Sequence, residues 1–240
     1  MAKPEMRRWG EGEFSLRYLQ EADIRIPERR RMLEILKSFF GHFAAGRENV
    51  SVLDLGCGDG VLTHELLSVD STMSSTLVDG SPEMVKRAEE RLAGHAGLMF
   101  HIATLQELAG GGLDLGRLDF VVSSLAIHHL AIEEKHSLFD YVYSHLNEGG
   151  YFVNFDVILA PKSSLEEWYI QLWREWMADR ERELGLESTC ERVIGCCQEG
   201  EHRSRLDTLD AQMDALQGVG FQDVDCYYKY GIFAMYGGRK

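Results

Sequence analysis

The sequence predicts an α/β fold built on a parallel sheet, and three observations support that prediction. Between residues 50 and 160, strand-like and helix-like segments alternate, as they do when crossover helices join parallel strands. An apolar strand in this region runs directly into a loop with glycine at alternate positions. The 240 residues lie within the range of one α/β unit, and no internal repeat divides them.

The first predicted strand and the loop after it occupy residues 50 to 60, which read Val-Ser-Val-Leu-Asp-Leu-Gly-Cys-Gly-Asp-Gly. Alternate glycines let the backbone turn sharply and let a ligand approach the main chain closely. Dinucleotide-binding proteins have Gly-x-Gly-x-x-Gly here, but Val61 holds the third glycine position. Asp54 adds a negative charge that suits an ammonium group and repels a pyrophosphate. The loop therefore predicts a nucleoside-type cofactor other than NAD; the alternative is a glycine turn without a ligand.

A second predicted strand, Thr76–Val78, ends at Asp79, which lies 19 residues after Gly60. An acidic residue about 20 positions beyond the glycine loop, at the tip of the neighbouring strand, accepts hydrogen bonds from ribose hydroxyls. Ser81 and Pro82 then predict the start of a helix, with Ser81 as the N-cap and Pro82 in the first turn. Asp79 alone could be a turn residue, but together with the loop it predicts a nucleoside site.

The outer parts of the chain are predicted to be mainly helical. Residues 13 to 44 form helices, one of which begins at Pro27. After Pro161, residues 163 to 184 form a long amphipathic stretch that predicts a lid over the active edge of the sheet. Strand-like sequence returns at Phe221–Cys226 and Gly231–Tyr236.

In this context the chain resembles the class I S-adenosylmethionine-dependent methyltransferases over nearly its whole length. Besides the loop and Asp79, the segments that carry the resemblance are Phe100–Leu108, Leu118–Leu130, Leu146–Asp156 and Gly218–Phe221. The resemblance implies a Rossmann-like, seven-stranded, mostly parallel sheet with helices on both faces. It also implies S-adenosyl-L-methionine as cofactor, bound across the carboxyl ends of the first strands.

Within this family the chain is most similar to small-molecule methyltransferases of the group that includes carboxy-S-adenosylmethionine synthase. The similar features are Ile26–Arg29 before the first long helix, the lid helix, and Asp207 before the last helix. The expected layout is one domain with four parts: an N-terminal helical cap (1–48), a cofactor-binding core (49–160), a helical lid (161–206), and a C-terminal helix with the final strands (207–240).

The resemblance also implies roles for cofactor-binding residues. The family usually has an acidic residue on the adenine amine after the third strand, but Thr104 holds that place here. The adenine is then held by Thr104, by backbone near Leu105, or by Glu107. Ser124 corresponds to a contact with the methionine end. The predicted cofactor-binding residues are Asp54, Gly56, Cys57, Gly58, Asp79, Gly80, Met84, Thr104, Leu105, Ser124 and Arg29.

Histidines after the fourth strand are the predicted catalytic residues. Methyl transfer is an in-line displacement, so a base is needed only when the acceptor carries a proton. His128 and His129 lie where the family places acceptor-facing residues, and the pKa of histidine suits proton transfer at neutral pH. Tyr18 and His202 are further candidates from the lids. The alternative for each histidine is a packed or solvent-facing ring.

Aromatic residues on the predicted lid helix are the predicted substrate pocket, together with His202. Trp168 and Trp176 share one row of the helix, and Tyr169 and Trp173 share the next. Trp168, Tyr169 and Trp173 are assigned to the pocket because aromatic faces bind small apolar or cationic molecules. On this hypothesis Trp173→Ala harms turnover more than cofactor binding. The alternatives are a purely structural lid helix and a homodimer face that also includes Trp9.

The amino-acid composition limits the classes of molecule that the protein is expected to bind. Twenty-five basic against 39 acidic side chains give a formal charge of −14, so nucleic acid is an unfavourable partner despite the local run Arg29–Arg31. No apolar run reaches the roughly 18 residues of a membrane span, and the first residues lack the apolar core of a signal peptide. Five cysteines fit a reducing compartment, so a cytoplasmic location is expected.

The spacing of Cys190, Cys196, Cys197 and His202 does not match a zinc site, and no metal is predicted. The sequence therefore predicts an S-adenosylmethionine-dependent methyltransferase acting on a small molecule. Three alternatives stay open. They are an enzyme of the carboxy-S-adenosylmethionine synthase or tRNA-modification type, a methyltransferase for thiophilic, arsenite-type substrates, and a non-catalytic binding domain.

Overall fold

The computed structural model describes residues 19, 21–113, 115–186, 189–198 and 203–240, and among these residues seven strands form one sheet. The strands are β1 (Ser51–Leu55), β2 (Ser74–Asp79), β3 (Leu98–Ile102), β4 (Leu118–Ser124), β5 (Leu146–Val157), β6 (Gln222–Tyr230) and β7 (Phe233–Arg239). Their order is β3-β2-β1-β4-β5-β7-β6. Strands β1 to β5 pair in parallel, and β7 is antiparallel to both β5 and β6. The predicted seven-stranded, mostly parallel, Rossmann-like sheet is confirmed.

Helices cover both faces of the sheet. They are α1 (Arg29–Phe43), α2 (Val61–Leu67), α3 (Pro82–Arg91), α4 (Leu105–Ala109), α5 (Ile132–His145), α6 (Ser163–Leu184), α7 (Cys190–Gln198) and α8 (Leu209–Val219). Helices α1, α2, α3, α6 and α7 contribute to the hydrophobic cluster on one face, and α4, α5 and α8 contribute to the cluster on the other. No helix in the described part of the chain combines the length and the apolar character needed to span a membrane.

Side-chain alternation along the strands explains these two clusters. In β1, Val52 belongs to one cluster, and Leu53 and Leu55 belong to the other; all three are fully buried. Successive side chains of a strand point to opposite faces, so an uninterrupted apolar run fits a strand that is covered on both sides. The apolar segments in the sequence therefore predict the central strands directly.

Helix α3 begins as the sequence predicts. The Ser81 hydroxyl accepts a hydrogen bond from the Met84 amide, and Pro82 occupies the first helical position. An N-cap hydroxyl of this kind satisfies one of the amides that the first helical turn leaves without a partner. This cap fixes the start of α3 directly after β2, and so it fixes the position of Asp79.

The N-terminal helical prediction needs a correction. Residues 21–25 form a short helical segment, the chain breaks at residues 26–28, and α1 then begins at Arg29 instead of Pro27. Glu28 adopts a left-handed conformation with φ of 53°, which interrupts a right-handed helix. The final strands also run further than the sequence predicts, because β6 continues to Tyr230 and β7 to Arg239.

Candidate functional site

A cavity lies at the carboxyl ends of β1, β2 and β4. The chain winds in opposite directions from β1 and from β4, and ligands of open α/β sheets bind at such a switch point. Its lining residues include Gly56, Cys57, Gly58, Asp79, Gly80, Met84, Thr104, Leu105, Ser124, His129, Arg29 and Arg205. The structure thus brings together ten of the eleven predicted cofactor-binding residues.

The glycine loop forms one wall of this cavity. The amides of Gly56 and Cys57 both donate to the Val78 carbonyl, at 2.8 and 3.0 Å, which ties the loop to β2. Gly56 has φ of +64°, and a Cβ there would lie 2.3 Å from the Ala126 Cβ. Gly58 has φ of +54°, and a Cβ there would meet nothing within 4 Å. Gly56 is therefore required for packing, whereas Gly58 leaves open space on the cavity side.

Asp79 lies at the carboxyl end of β2 and faces the cavity. Its carboxylate accepts hydrogen bonds from the Gly58 amide at 2.9 Å and from the Ser81 amide at 2.8 Å. Burial raises the pKa of this carboxyl group, and the two amides oppose that rise. The side chain therefore joins the glycine loop to the start of α3 and presents a hydrogen-bond acceptor to a ligand.

Asp54 does not line the cavity, contrary to the sequence prediction. It is completely buried beneath the loop, where one carboxylate oxygen accepts from the Thr63 hydroxyl at 2.7 Å and the Thr63 amide at 3.2 Å. The other oxygen, Oδ1, has no hydrogen-bond partner among the described residues. Burial raises the pKa of Asp54 to about 7. The side chain points toward α2, so it supports the loop from below.

Thr104 and Glu107 satisfy each other in a capping box at the start of α4. The Glu107 carboxylate accepts from the Thr104 amide at 2.8 Å and from the Thr104 hydroxyl at 2.9 Å. These hydrogen bonds lower the pKa of Glu107. Glu107 is not among the cavity residues, whereas Thr104, Leu105 and Gln106 are. Of the alternatives for an adenine contact, the structure therefore favours Thr104 or the backbone near Leu105.

The two adjacent histidines after β4 have different environments. His128 is buried outside the cavity; its Nδ1 forms a short hydrogen bond with Asp156, whose second oxygen accepts from the His128 amide at 2.9 Å. His129 lines the cavity, and its ring centroid lies 4.0 Å from that of His128. The prediction of His128 as a catalytic residue needs correction, because the turn Ile127–His129 directs that ring into the core. His128 instead anchors the turn that carries His129.

Arginines face the cavity from two sides. Arg29, at the start of α1, donates to Asp23 at 2.8 Å. Arg205 precedes α8 and donates to the His129 carbonyl at 3.2 Å. The Arg205 carbonyl in turn accepts from the buried Lys135, whose ammonium also bonds Asp207 at 2.7 Å. This network fixes the segment that carries Arg205 against α5.

The predicted aromatic substrate pocket needs correction, because none of its described residues reaches the cavity. Trp168 is 57% exposed, and the Tyr169 hydroxyl accepts from Lys229 at 2.9 Å. Trp173 is buried against Phe233, and its indole N–H donates to the Arg25 carbonyl at 2.7 Å. Trp173 therefore packs on the protein itself, whereas Trp168 faces solvent. Tyr18 and His202, which the sequence also indicates as site residues, lie outside the described residues.

Leu19 and residues 21–26, which we call the strap, supply cavity-lining side chains that the sequence reasoning missed. They are Leu19, Ala22 and Ile26. Ala22, Ile24 and Ile26 are buried, each with 5% exposure or less. Apolar residues at alternate positions between charged ones were the available signal for a covered segment. Arg205 carried no recognisable signal, because its position depends on the fold.

Among the residues that the structure describes, Cys57 is the cysteine whose side chain lines the cavity. Cys190 is buried on α7 and Cys197 is half-buried there, and neither side chain lines the cavity. Burial raises the pKa of the thiols of Cys57 and Cys190. Within the described ranges, no cluster of three or more histidine, cysteine or acidic side chains is arranged to hold a metal ion.

The residues present fit S-adenosylmethionine by two tests. Gly58 leaves room beside the main chain, which any side chain would fill. Asp79 provides an acceptor at the strand end where ribose hydroxyls bind in related folds.

Comparison with known proteins agrees with this arrangement. The family described as "methyltransferase domain" matches residues 53–152. The carboxy-S-adenosyl-L-methionine synthase of Chromohalobacter salexigens is 26% identical over 194 residues, which cover 78% of this chain and 67% of that protein. An O-methyltransferase family protein from Burkholderia thailandensis shares the fold with a TM-score of 0.68 at 12% identity, over 100% of this chain and 64% of that one.

A solved structure with a bound cofactor is also similar. It is phosphoethanolamine N-methyltransferase 2 of Haemonchus contortus in complex with S-adenosyl-L-methionine, with a TM-score of 0.57 at 18% identity, over 82% of this chain and 38% of that one. This chain thus spans about two thirds of the length of the synthase and of the O-methyltransferase family protein. Together with the glycine loop and the sheet order, these findings identify the chain as a class I S-adenosylmethionine-dependent methyltransferase, distantly similar to carboxy-S-adenosylmethionine synthases, with S-adenosylmethionine as its cofactor.

Proposed function

We propose that this enzyme methylates a small molecule inside the cavity described above. One observation carries the proposal. Ser124, the last residue of β4, and His129, in the turn that follows, face the same cavity as the glycine loop and Asp79. Acceptor-facing and cofactor-facing groups therefore share one space. The strap residues Ala22 and Ile26 also line that space, which favours a small acceptor over a macromolecule. The formal charge of −14 supports the same choice against nucleic acid.

Cofactor binding is assigned to the residues that line the cavity. The Asp79 carboxylate accepts hydrogen bonds from the ribose hydroxyls, and Gly56 to Gly58 allow close approach of the ligand to the main chain. Thr104 and Leu105 lie at the adenine end, with Met84 nearby on α3. Arg29 suits a carboxylate, because its guanidinium forms paired hydrogen bonds with such a group. Asp54 acts beneath the loop and does not contact the ligand.

When bound, the cofactor supplies an electrophilic methyl group. The chain's own residues position the acceptor and exclude water, and apolar lining residues such as Met32 and Leu33 contribute to that exclusion. His129 takes a proton when the acceptor nucleophile carries one. The His128–Asp156 pair and the bond from Arg205 hold the backbone at His129, so its ring is presented from a fixed turn.

Carboxy-S-adenosylmethionine synthesis is a second candidate function. The similarity to the synthase of Chromohalobacter salexigens favours it, and so do the two cavity arginines, Arg29 and Arg205. Guanidinium groups recognise carboxylates in a planar, paired geometry. A thiophilic substrate is less favoured, because Cys190 and Cys197 lie outside the cavity.

Calorimetric titration tests the proposal first. The full chain is titrated with S-adenosylmethionine, S-adenosylhomocysteine and NAD, and the series is repeated with Asp79→Asn. We expect the first two ligands to bind, NAD not to bind, and the variant to bind weakly. Asparagine is preferable to alanine because it keeps the shape of the side chain and one of the two oxygens that accept from the Gly58 and Ser81 amides, whereas alanine removes both. Binding of NAD alone, or of no ligand, would overturn the assignment of the site.

Acceptor screening then separates the two candidate reactions. Release of S-adenosylhomocysteine is measured with panels of small amines, phenols, thiols and carboxylic acids. A methyltransferase yields a methylated acceptor and S-adenosylhomocysteine, whereas a synthase yields a carboxylated cofactor, and mass spectrometry distinguishes the products. Turnover only with a nucleic acid or a protein substrate would contradict the small-molecule proposal.

A further inference from the structure

The strap is held over the cavity by two tryptophans of α6. The indole N–H of Trp173 donates to the Arg25 carbonyl at 2.7 Å, and that of Trp176 donates to the Ile24 carbonyl at 3.0 Å. Trp173 and Trp176 are three residues apart, so they lie on the same face of the helix. Two consecutive carbonyls of the strap therefore accept hydrogen bonds from two side chains on one face of α6.

Local sequence explains why these carbonyls need such partners. The helical segment 21–25 stops at Ile26, and Pro27 and the left-handed Glu28 prevent it from continuing into α1. A helix that stops leaves its last carbonyls without the amides of a following turn. The two indoles supply donors at that point, and buried carbonyls without a donor are costly.

Packing fixes the two indoles in turn. Trp173 has 3% exposure and meets Phe233 of β7 edge to face, with ring centroids 5.4 Å apart. Trp176 meets Tyr230 of β6 at 6.0 Å, and the Arg180 guanidinium lies 4.7 Å from the centre of its ring. The tryptophans therefore connect the strap to the antiparallel edge of the sheet.

Ion pairs also attach the strap to its neighbours, and one of them joins Arg30 to Asp23 at 3.8 Å. Arg29 bonds Asp23 at 2.8 Å, and Arg192 of α7 lies 3.8 Å from Glu21. Glu21 also bonds Arg25 within the strap. These ion pairs are partly exposed and contribute little each. The indole of Trp173 is buried, and in the same strap the apolar side chains of Ala22 and Ile26 line the cavity.

We propose that Trp173 and Trp176 are positioning residues that clamp the strap against bound S-adenosylmethionine and thereby set how slowly the cofactor leaves. The proposal rests on the proposed cofactor site. It assigns a role to the aromatic rows of α6 that acts through Ala22 and Ile26 instead of through contact with the acceptor. Release of the cofactor then requires the strap to separate from α6.

The test compares Trp176→Phe with Trp168→Phe in the full chain. Both replacements remove an indole from α6, but Trp168 is 57% exposed and outside the cavity. Hydrogen–deuterium exchange of residues 21–26 is measured without cofactor, and dissociation of radiolabelled S-adenosylmethionine is measured by chase. Tm is recorded for each variant.

Loss of one hydrogen bond is expected to speed cofactor dissociation about three- to tenfold in Trp176→Phe. Exchange in the strap is expected to rise similarly, whereas Trp168→Phe changes neither rate. Trp173→Phe is expected to act in the same direction with a lower Tm, because that ring belongs to the core.

The outcomes separate the clamp from the cofactor site. Unchanged dissociation in Trp176→Phe, with wild-type binding intact, would overturn the clamp alone. Lower Tm without faster dissociation would show a merely structural role and would also overturn it. Failure of the wild-type chain to bind S-adenosylmethionine would overturn the cofactor site, and with it the role of the strap in retention.

Discussion

Replacing Gly56 with alanine is expected to destabilise the protein by about 2–5 kcal/mol. Two physical costs add up in this estimate. The left-handed conformation, with φ of +64°, costs a residue with a Cβ about 1–2 kcal/mol. The added methyl would also lie 2.3 Å from the Ala126 Cβ, and forced overpacking of this kind costs about 1–3 kcal/mol.

The free energy lost to the steric collision can be measured separately from the backbone strain, because Ala126 is the one described residue that the added Cβ would meet within 4 Å. The next atom near the added Cβ is the Ala126 Cα at 3.8 Å, an ordinary contact. Combining Gly56→Ala with Ala126→Gly therefore removes the collision and leaves the backbone strain. The double variant is expected to recover about 1–3 kcal/mol relative to the sum of the two single variants.

Urea unfolding of the four proteins in this cycle measures the free energies. Gly58→Ala serves as a matched control, because its φ of +54° carries similar strain but its Cβ would meet no atom within 4 Å. That control is expected to lose only about 1–2 kcal/mol, while its methyl group obstructs cofactor binding. Additive effects in the cycle, or equal losses in Gly56→Ala and Gly58→Ala, would refute the assigned contact.

Four other predictions concern the site. Asp79→Asn is expected to weaken S-adenosylmethionine binding by about 1.5–3 kcal/mol, because a neutral amide replaces a charged acceptor; calorimetry checks this against Asp70→Asn, and equal affinities would contradict it. Burial raises the folded-state pKa of Asp54 to about 7, so its contribution is present below about pH 4 and is lost as pH rises through 7. Stability of the wild type relative to Asp54→Asn is therefore expected to fall by up to about 1.4 kcal/mol per pH unit between pH 4 and 7; urea unfolding across that range checks it, and a flat difference would reject it. His128→Ala is expected to lose about 1–3 kcal/mol of stability, because the buried Asp156 loses its bond to the imidazole ring and keeps only those from the His128 and Val157 amides. His129→Ala is expected instead to slow methyl transfer to a proton-bearing acceptor about 100-fold and to leave cofactor affinity unchanged. Single-turnover kinetics with an accepted substrate measures the rate, and weaker cofactor binding with an unchanged rate would contradict the prediction.

Local sequence patterns were sufficient for the fold and for much of the cavity wall. Apolar runs predicted the buried strands, because a parallel strand covered on both faces needs no polar alternation. The glycine loop and the spacing to Asp79 predicted two neighbouring strand ends, and the structure places both at one cavity. These features depend on a few consecutive residues and on the adjacency of β1 and β2.

The direction in which a side chain points was harder to predict from the sequence than the place of its residue in the fold. Asp54 is next to the loop in sequence, but strand alternation turns its carboxylate toward α2. His128 and His129 are adjacent, and only the geometry of a short helical turn decides which ring enters the cavity. Helical periodicity placed Trp173 and Trp176 in neighbouring rows of α6, but it did not show that the strap packs against both rows. Each case depends on tertiary packing between distant segments.

The position of β7 has a consequence for the order in which the sheet can be completed. Strand β7 follows β6 in the chain but lies between β5 and β6, and it pairs with β5 across about 80 residues of sequence. A nascent chain that has emerged only as far as β5 can assemble β1 to β4 around the cavity, yet the outer edge of β5 then has no pairing strand. Unpaired apolar edges are templates for association with other chains. Release of β7 from the ribosome therefore ends the interval in which β5 is vulnerable to aggregation.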